Sequence, residues 1–261
     1  MRLENPYLQG ASLFDLSGKV AIVTGSNTGL GAGMAMALAA AGCDIVGGNR
    51  SDPAETASRV EAAGRRFVDV RADLSSLEPI GSIVEAAMDT FGRVDILVNN
   101  AGIIRRCDAL EFSEADWDAV IDVNLKGVFF LSQAVARHFV GQGGRGKIIN
   151  VASMLSFQGG IRVPSYTASK SGVLGLTRLL ANEWAGRGIN VNAIAPGYMK
   201  TDNTAQLRED RQRSEEILAR IPAGRWGVPD DLAGAVVFLA SAASDYVHGH
   251  TLAVDGGWLA R

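Results

Sequence analysis

Thr24-Gly25-Ser26-Asn27-Thr28-Gly29-Leu30-Gly31 follows the apolar run Val20-Ala21-Ile22-Val23 and opens an alanine-rich helical stretch. Glycine permits positive φ and close backbone approach, and a helix start offers unpaired N–H groups with the positive end of the helix dipole. A strand that turns into a helix through such a loop is a seat for phosphate, with Gly25, Asn27, Gly29 and Leu30 as its cradle. With 31 glycines in 261 residues the spacing alone carries little weight; the strand-to-helix context carries the inference.

Outward from this loop, apolar β-branched runs alternate with amphipathic stretches to the end of the chain. The runs predict strands over 20–24, 44–48, 66–70, 94–99, 147–151, 190–195 and 251–254, nearly continuous in Val, Ile and Ala as parallel strands buried on both faces are. Helices are predicted over 29–41, 53–64, 78–91, 114–140, 166–186 and 230–242, with Ser113 and Asp116 as a start signal and Pro53, Pro79 and Pro229 near first turns. This βα rhythm predicts an α/β fold: one doubly wound, Rossmann-type domain over 1–261, with a seven-stranded parallel sheet and helices on both faces. The polar segment 197–221, with a short helix over 211–220, falls outside the rhythm and reads as an active-site lid or a solvated surface excursion.

Composition narrows the function. A hydrophobic share of 47% allows a sizeable core, and 25 basic against 28 acidic residues leave a net charge of −3 with no sequence-wide case for nucleic acid. Cys43 and Cys107, the two cysteines, form neither a disulfide framework nor a zinc motif. His248 and His250 alternate without further ligand types, so no metal is expected. Residues 1–16 lack the apolar core of a secretory signal and no uninterrupted apolar run reaches the ~18 residues of a membrane span. A cytoplasmic protein without a membrane partner is expected. Residues 1–13 have no assigned task beyond covering a sheet edge or staying loose.

Tyr166 and Lys170 lie four residues apart, on one face of a predicted helix. A phenol is a poor base at neutral pH, but a neighbouring cation favours the phenolate and equips it to exchange a proton with an alcohol or ketone oxygen. Tyr-x-x-x-Lys arises by chance about 0.08 times in such a chain. Ser153, thirteen residues before the tyrosine, closes the fifth helix-flanked strand at its carboxyl end, where open α/β sheets place ligand chemistry.

Together these segments resemble the short-chain dehydrogenase/reductase family from about residue 16 onward. Asn99-Asn100-Ala101-Gly102 matches that family's NNAG turn. Asp73, with Leu74, stands where the family contacts adenine, and Pro196-Gly197 matches its nicotinamide-side segment. The resemblance implies a catalytic tetrad of Asn124, Ser153, Tyr166 and Lys170, a cofactor site that adds Asn100, Ala101 and Gly102, and reversible hydride transfer. In that scheme Tyr166 shuttles the proton, Ser153 steadies the oxyanion, Lys170 tunes Tyr166 and binds the nicotinamide ribose, and Asn124 orders a water. It also implies a homotetramer, for which Val236-Val237-Phe238-Leu239 and the tail ending in Trp258 are apolar enough to form contacts, unless they are ordinary core.

The end of the second strand carries Asn49-Arg50 and no carboxylate before Asp52. An acidic residue there suits the ribose hydroxyls of NAD, and an arginine suits the 2′-phosphate of NADP. Charge favours NADP, whereas the nearest part of the family favours NAD. Arg106, Gln158 and Arg162 flank the expected substrate space and suit a carboxylate on a hydroxylated chain, if they are not simply surface ion pairs. A closer resemblance, over 152–173 and 195–199 among other segments, is to sugar-acid dehydrogenases of pectin-type uronate breakdown. It implies interconversion of a secondary hydroxyl and a ketone on a six-carbon deoxy keto acid. A reductase of another carbonyl, such as a 3-ketoacyl thioester, and a non-catalytic dinucleotide-binding regulator are the competing readings.

Overall fold

The computed structural model describes residues 13–261. Residues 1–12, and with them the expected edge cover or loose segment and most of the stretch read as lacking a secretory signal, lie outside the described residues. From Leu16 onward the chain is tied in: Leu16 is buried and its N–H donates to the Ala41 carbonyl at 2.8 Å.

Seven parallel strands form one sheet in the order β3-β2-β1-β4-β5-β6-β7. They are β1 (Val20–Thr24), β2 (Asp44–Asn49), β3 (Phe67–Arg71), β4 (Ile96–Asn99), β5 (Gly146–Val151), β6 (Ile189–Pro196) and β7 (Thr251–Val254). Every residue of β1, β4 and β6 is buried, as the continuous apolar runs require. The order reverses between β1 and β4, and there the carboxyl ends of the strands leave a crevice.

Helices cover both faces. α1 (Gly29–Ala40) and α9 (Ala233–Ala240) bury Met34, Leu38, Val236 and Leu239 against Ile45 and Ile149 on one side. On the other, α3 (Pro79–Phe91), α5 (Gly127–Gly141) and α6 (Pro164–Trp184) bury Ile83, Leu131, Phe139 and Leu180 against Leu97, Ile148 and Val191. Completely burying each such side chain contributes about 1.5–3 kcal/mol. α2 (Ala54–Ala62) packs on the first side through Val60. A buried polar thread crosses between strands and helices: Asn99 donates to Asn150 at 2.8 Å and Ser132 at 2.9 Å, and Asn150 donates to Thr177 at 2.9 Å.

Three expectations change. The helix expected over 114–140 is α4 (Glu114–Ile121), a π-helical turn over Asp122–Lys126, and α5. An inserted residue shifts the phase of the helix without removing its apolar stripe, so periodicity merges the pieces, and such π turns gather at functional sites. The same run, Glu114–Gly141, is long and apolar enough to cross a membrane by length and composition, although no uninterrupted apolar run is that long. Half of its most apolar window is buried in the chain, with Val120, Leu131 and Phe139 as core residues. The third concerns the expected subunit contacts: Val236, Leu239 and Trp258 are at most 4% exposed and pack within their own chain, whereas Val237 and Phe238 are only partly buried.

The segment 197–221 folds over the crevice as α7 (Ala205–Glu209) and α8 (Arg211–Arg220). Asp210 starts α8 by accepting from the Arg213 N–H at 3.0 Å.

Candidate active site

Thr24 and Asn100 lock the phosphate loop onto the β4 turn. The Thr24 hydroxyl oxygen accepts from the N–H groups of Asn100 and Ala101, each at 3.0 Å, and the Asn100 amide donates to the carbonyls of Thr24 at 2.9 Å and Gly25 at 3.1 Å. Gly25 takes φ +64°, and a Cβ at Gly31 would collide with the Gly25 carbonyl. This loop is therefore compact because those positions lack side chains.

Above it lies a cavity of about 290 Å³. Of the residues expected to hold a dinucleotide, Gly25, Asn27, Gly29, Leu30, Arg50, Asp73, Leu74, Asn100, Ala101, Gly102, Tyr166 and Lys170 line it. Asn49 does not: its side chain is fully buried, accepting from the Ser26 hydroxyl at 3.1 Å and donating to Asp69 at 2.8 Å, so it braces the loop from below. Pro196 and Gly197 also stay outside this cavity. Gly197 donates to the Val254 carbonyl at 3.0 Å and lines the neighbouring substrate-side space instead. Sequence reading missed Thr201, Asp202 and Asn203, which the lid segment brings to the same cavity; no local motif marks them, since only the fold of 197–221 carries them there.

The rim of the cavity is polarised. Asp73 accepts from the Ser75 N–H at 3.0 Å. That bond, the Ser75 hydroxyl and, more weakly, the Arg50 guanidinium hold its carboxyl below the usual range. Arg50 is exposed at the end of β2 and faces the cavity with no acidic residue beside it on that strand.

Tyr166 and Lys170 line this cavity, Ser153 meets the Tyr166 phenol, and Asn124 is fully buried. Ser153 leaves β5 and its hydroxyl oxygen accepts from the Leu155 N–H at 3.1 Å. Tyr166 sits in the first turn of α6 and Lys170 one turn later, buried, donating to the Val151 carbonyl at 2.6 Å. Asn124, in the π turn, accepts from Ile103 N–H at 2.8 Å and donates to Ile103 C=O at 2.9 Å and to Ser169 at 3.2 Å.

Burial pushes the Tyr166 phenol above its ordinary value, while the Ser153 hydroxyl and the Arg106 guanidinium pull it back. Burial brings the Lys170 ammonium down to about 8. The Lys170 ammonium lies 5.7 Å from the Tyr166 ring centroid and donates to the Val151 carbonyl, and the Arg106 guanidinium is a further cation acting on the phenol.

Tyr166 and Ser153 also line a second cavity, of about 320 Å³, under the lid. Arg106 and Gln158 line it as expected. Arg162 does not. It is exposed, its backbone is left-handed at φ +63°, and its carbonyl accepts from Cys107 N–H at 3.1 Å, so the turn directs the side chain away. In its place the structure supplies Arg213 and Arg220 from α8 and Trp258 from the tail. Trp258 packs edge-on to Tyr198 with ring centroids 4.7 Å apart, beside Met154 and Ile217.

A phenol and a hydroxyl facing a largely apolar cavity that also carries three arginines, beside a glycine-cradled cavity with a buried amine, can carry out proton exchange at a carbinol oxygen next to a redox cofactor. A family profile described as enoyl-(acyl carrier protein) reductase matches residues 25–259. The chain is 68% identical over 250 residues to the 2-dehydro-3-deoxy-D-gluconate 5-dehydrogenase of Escherichia coli (strain K12), covering 96% of this chain and 99% of that relative. The chain belongs to the short-chain dehydrogenase/reductase family. Among solved short-chain dehydrogenases, a candidate 2-deoxy-D-gluconate 3-dehydrogenase from Agrobacterium tumefaciens with bound NADP superposes with a TM-score of 0.90 at 57% identity, covering 96% of this chain and 100% of that one. A gluconate 5-dehydrogenase from Burkholderia cenocepacia J2315 in complex with NADP and tartrate gives 0.91 at 41% identity, covering 95% and 98%.

Proposed function

We propose that this short-chain dehydrogenase interconverts 2-dehydro-3-deoxy-D-gluconate and 3-deoxy-D-glycero-2,5-hexodiulosonate with NAD or NADP. The observation that carries the reading is Tyr166, with Ser153, at the boundary of two cavities, one cradled by glycines and one lined by three arginines and one glutamate. The high identity to a curated relative acting on that acid supports the substrate. Asn27, Arg50, Asp73 and Lys170 are suited to hold the cofactor, because they line the cavity where the first turn of α1 offers N–H groups to a pyrophosphate and Lys170 offers a buried cation. When bound, the oxidised nicotinamide accepts the hydride from the carbinol carbon. Tyr166 as phenolate takes the hydroxyl proton as that C–H bond breaks, Ser153 holds the same oxygen by a hydrogen bond, and Asn124 fixes the Gly102–Ile103 wall. In the reverse direction the phenol returns the proton.

Arg50 supports NADP as the preferred cofactor, in agreement with the NADP held by the two solved relatives. The same reading makes residues 1–261 a single domain working in the cytoplasm, in breakdown of pectin-type uronates, with no nucleic acid or membrane as partner. The exposed apolar side chains Trp117, Phe130, Val140 and Leu179 on α4, α5 and α6 support a homotetramer, which light scattering tests.

The deciding experiment follows reduced nicotinamide when purified protein meets 2-dehydro-3-deoxy-D-gluconate with NAD or NADP, beside Tyr166→Phe. Saturable reduction that the variant loses supports the reading. Absence of reduction with reduced cofactor still bound discards the sugar acid and leads to a panel of other ketones and alcohols.

A further inference from the structure

Three guanidinium groups line the substrate-side cavity, and their existing partners differ. Arg213 is paired with Glu216 at 3.1 Å. Arg106 donates to the Asn203 carbonyl at 2.7 Å and acts on the Tyr166 phenol, which ties it to the reacting end. Arg220 has no acidic partner among the described residues. Its guanidinium carbon lies 3.9 Å from the centroid of the Trp258 ring, and its Nη2 meets Gln158 Oε1 at 3.5 Å.

The stack is built, not incidental. Trp258 is 4% exposed and clamped by Tyr198, so the ring that carries Arg220 cannot swing. The last turn of α8 is held as well: the Arg261 side chain donates to the carbonyls of Ala219 at 2.9 Å and Arg220 at 3.2 Å. A guanidinium lying over an aromatic ring keeps its in-plane N–H groups free at the edge, in the fork that matches a carboxylate. Holding it there before the ligand arrives reduces the ordering entropy lost on binding.

We propose that Arg220, seated on Trp258, is the specificity-determining anion subsite of the substrate cavity, reading the carboxylate of an acid whose hydroxyl reacts at Tyr166. The inference rests on the sugar-acid reading above and assigns its anion contact to a lid residue in place of Arg162. Gln158, already within reach of Arg220, orients the guanidinium.

Arg220→Gln and Arg220→Lys test it against the parent, with 2-dehydro-3-deoxy-D-gluconate and with its primary amide, which has the same shape and no charge. NADPH binding, followed by fluorescence, serves as a readout of folding in each protein. The expected result is a KM for the acid raised about tenfold to a hundredfold in Arg220→Gln, with a much smaller change for the amide, so that the preference for the acid is lost. Lysine keeps the charge without the fork or the stack, so Arg220→Lys restores only part of the preference. If the parent prefers the acid and Arg220→Gln keeps that preference, the Arg220 assignment is overturned and the sugar-acid reading survives. If the parent uses acid and amide equally well, or neither, both are overturned.

Discussion

Asn124 holds both polar groups of the Ile103 backbone: its carbonyl oxygen accepts from the N–H at 2.8 Å and its amide donates to the C=O at 2.9 Å. This pairing is the same two-bond exchange that a neighbouring strand makes, supplied here by one side chain from a π turn. It pins the Gly102–Ile103 wall of the dinucleotide cavity to the helix layer. Asn124→Ala leaves both groups without a protein partner at a part-buried site, and the expected loss is about 1–2 kcal/mol. Thermal unfolding should show the loss, and cofactor affinity should fall with it, whereas Asn124→Asp should keep the accepted bond and part of the stability.

Burial holds the Tyr166 phenol above its ordinary value. Oxidation of a hydroxyl needs a proton acceptor, which is the phenolate, the form favoured as pH rises. Turnover in the oxidative direction should therefore climb through the alkaline range, and the climb should disappear in Tyr166→Phe with a loss of about a thousandfold. A pH–rate profile of both proteins checks this.

Lys170 is brought down to about 8 from an ordinary 10.5. Between those values the unfolded chain binds the proton and the folded chain does not, so stability rises with pH across that window, and below it the buried charge is a burden. Lys170→Met should unfold no more easily than the parent at pH 7 without cofactor, and its advantage should shrink between pH 8 and 10.5. Turnover should nevertheless fall by about a hundredfold or more. Denaturant titrations at three pH values beside steady-state assays measure both effects.

Arg50 faces the dinucleotide cavity from the end of β2 without a carboxylate beside it on the strand. Arg50→Ala should raise KM for NADP about tenfold to a hundredfold while changing that for NAD less than about threefold. Initial rates with both cofactors give the ratio directly.

A methyl group at position 31 would enter the space held by the Gly25 carbonyl and the Asn100 amide, both of which also anchor the β4 turn. Gly31→Ala should destabilise the fold by about 1–3 kcal/mol and weaken cofactor binding beyond what the lost stability explains. Gly175, on α6 with nothing near its missing Cβ, is the control: Gly175→Ala should be neutral or stabilising.

The strands and the glycine loop were legible because their causes are local. Burial on both faces writes itself as continuous Val, Ile and Ala, and a backbone that must approach another closely writes itself as glycine, as at Gly25 and Gly31. Tyr166 and Lys170 were legible for the same reason, since a spacing of four on a helix is a distance in space. Asn49 shows the limit. A position at the right strand end can point up to the ligand or down beneath the loop, and the bonds to Ser26 and Asp69 choose the second.

What the sequence by itself determined is the doubly wound sheet, the glycine loop after β1 and the placing of Tyr166 and Lys170 one turn apart, each encoded in residues that are near one another along the chain or repeat with the period of their element. Only the tertiary structure decided which arginines meet the substrate space. Arg162 is seven residues along from Leu155 yet turned outward by one left-handed residue, while Arg220 and Trp258, far apart in sequence, stack at 3.9 Å. Side-chain direction in irregular segments depends on packing between distant parts of the chain, and no local period records it.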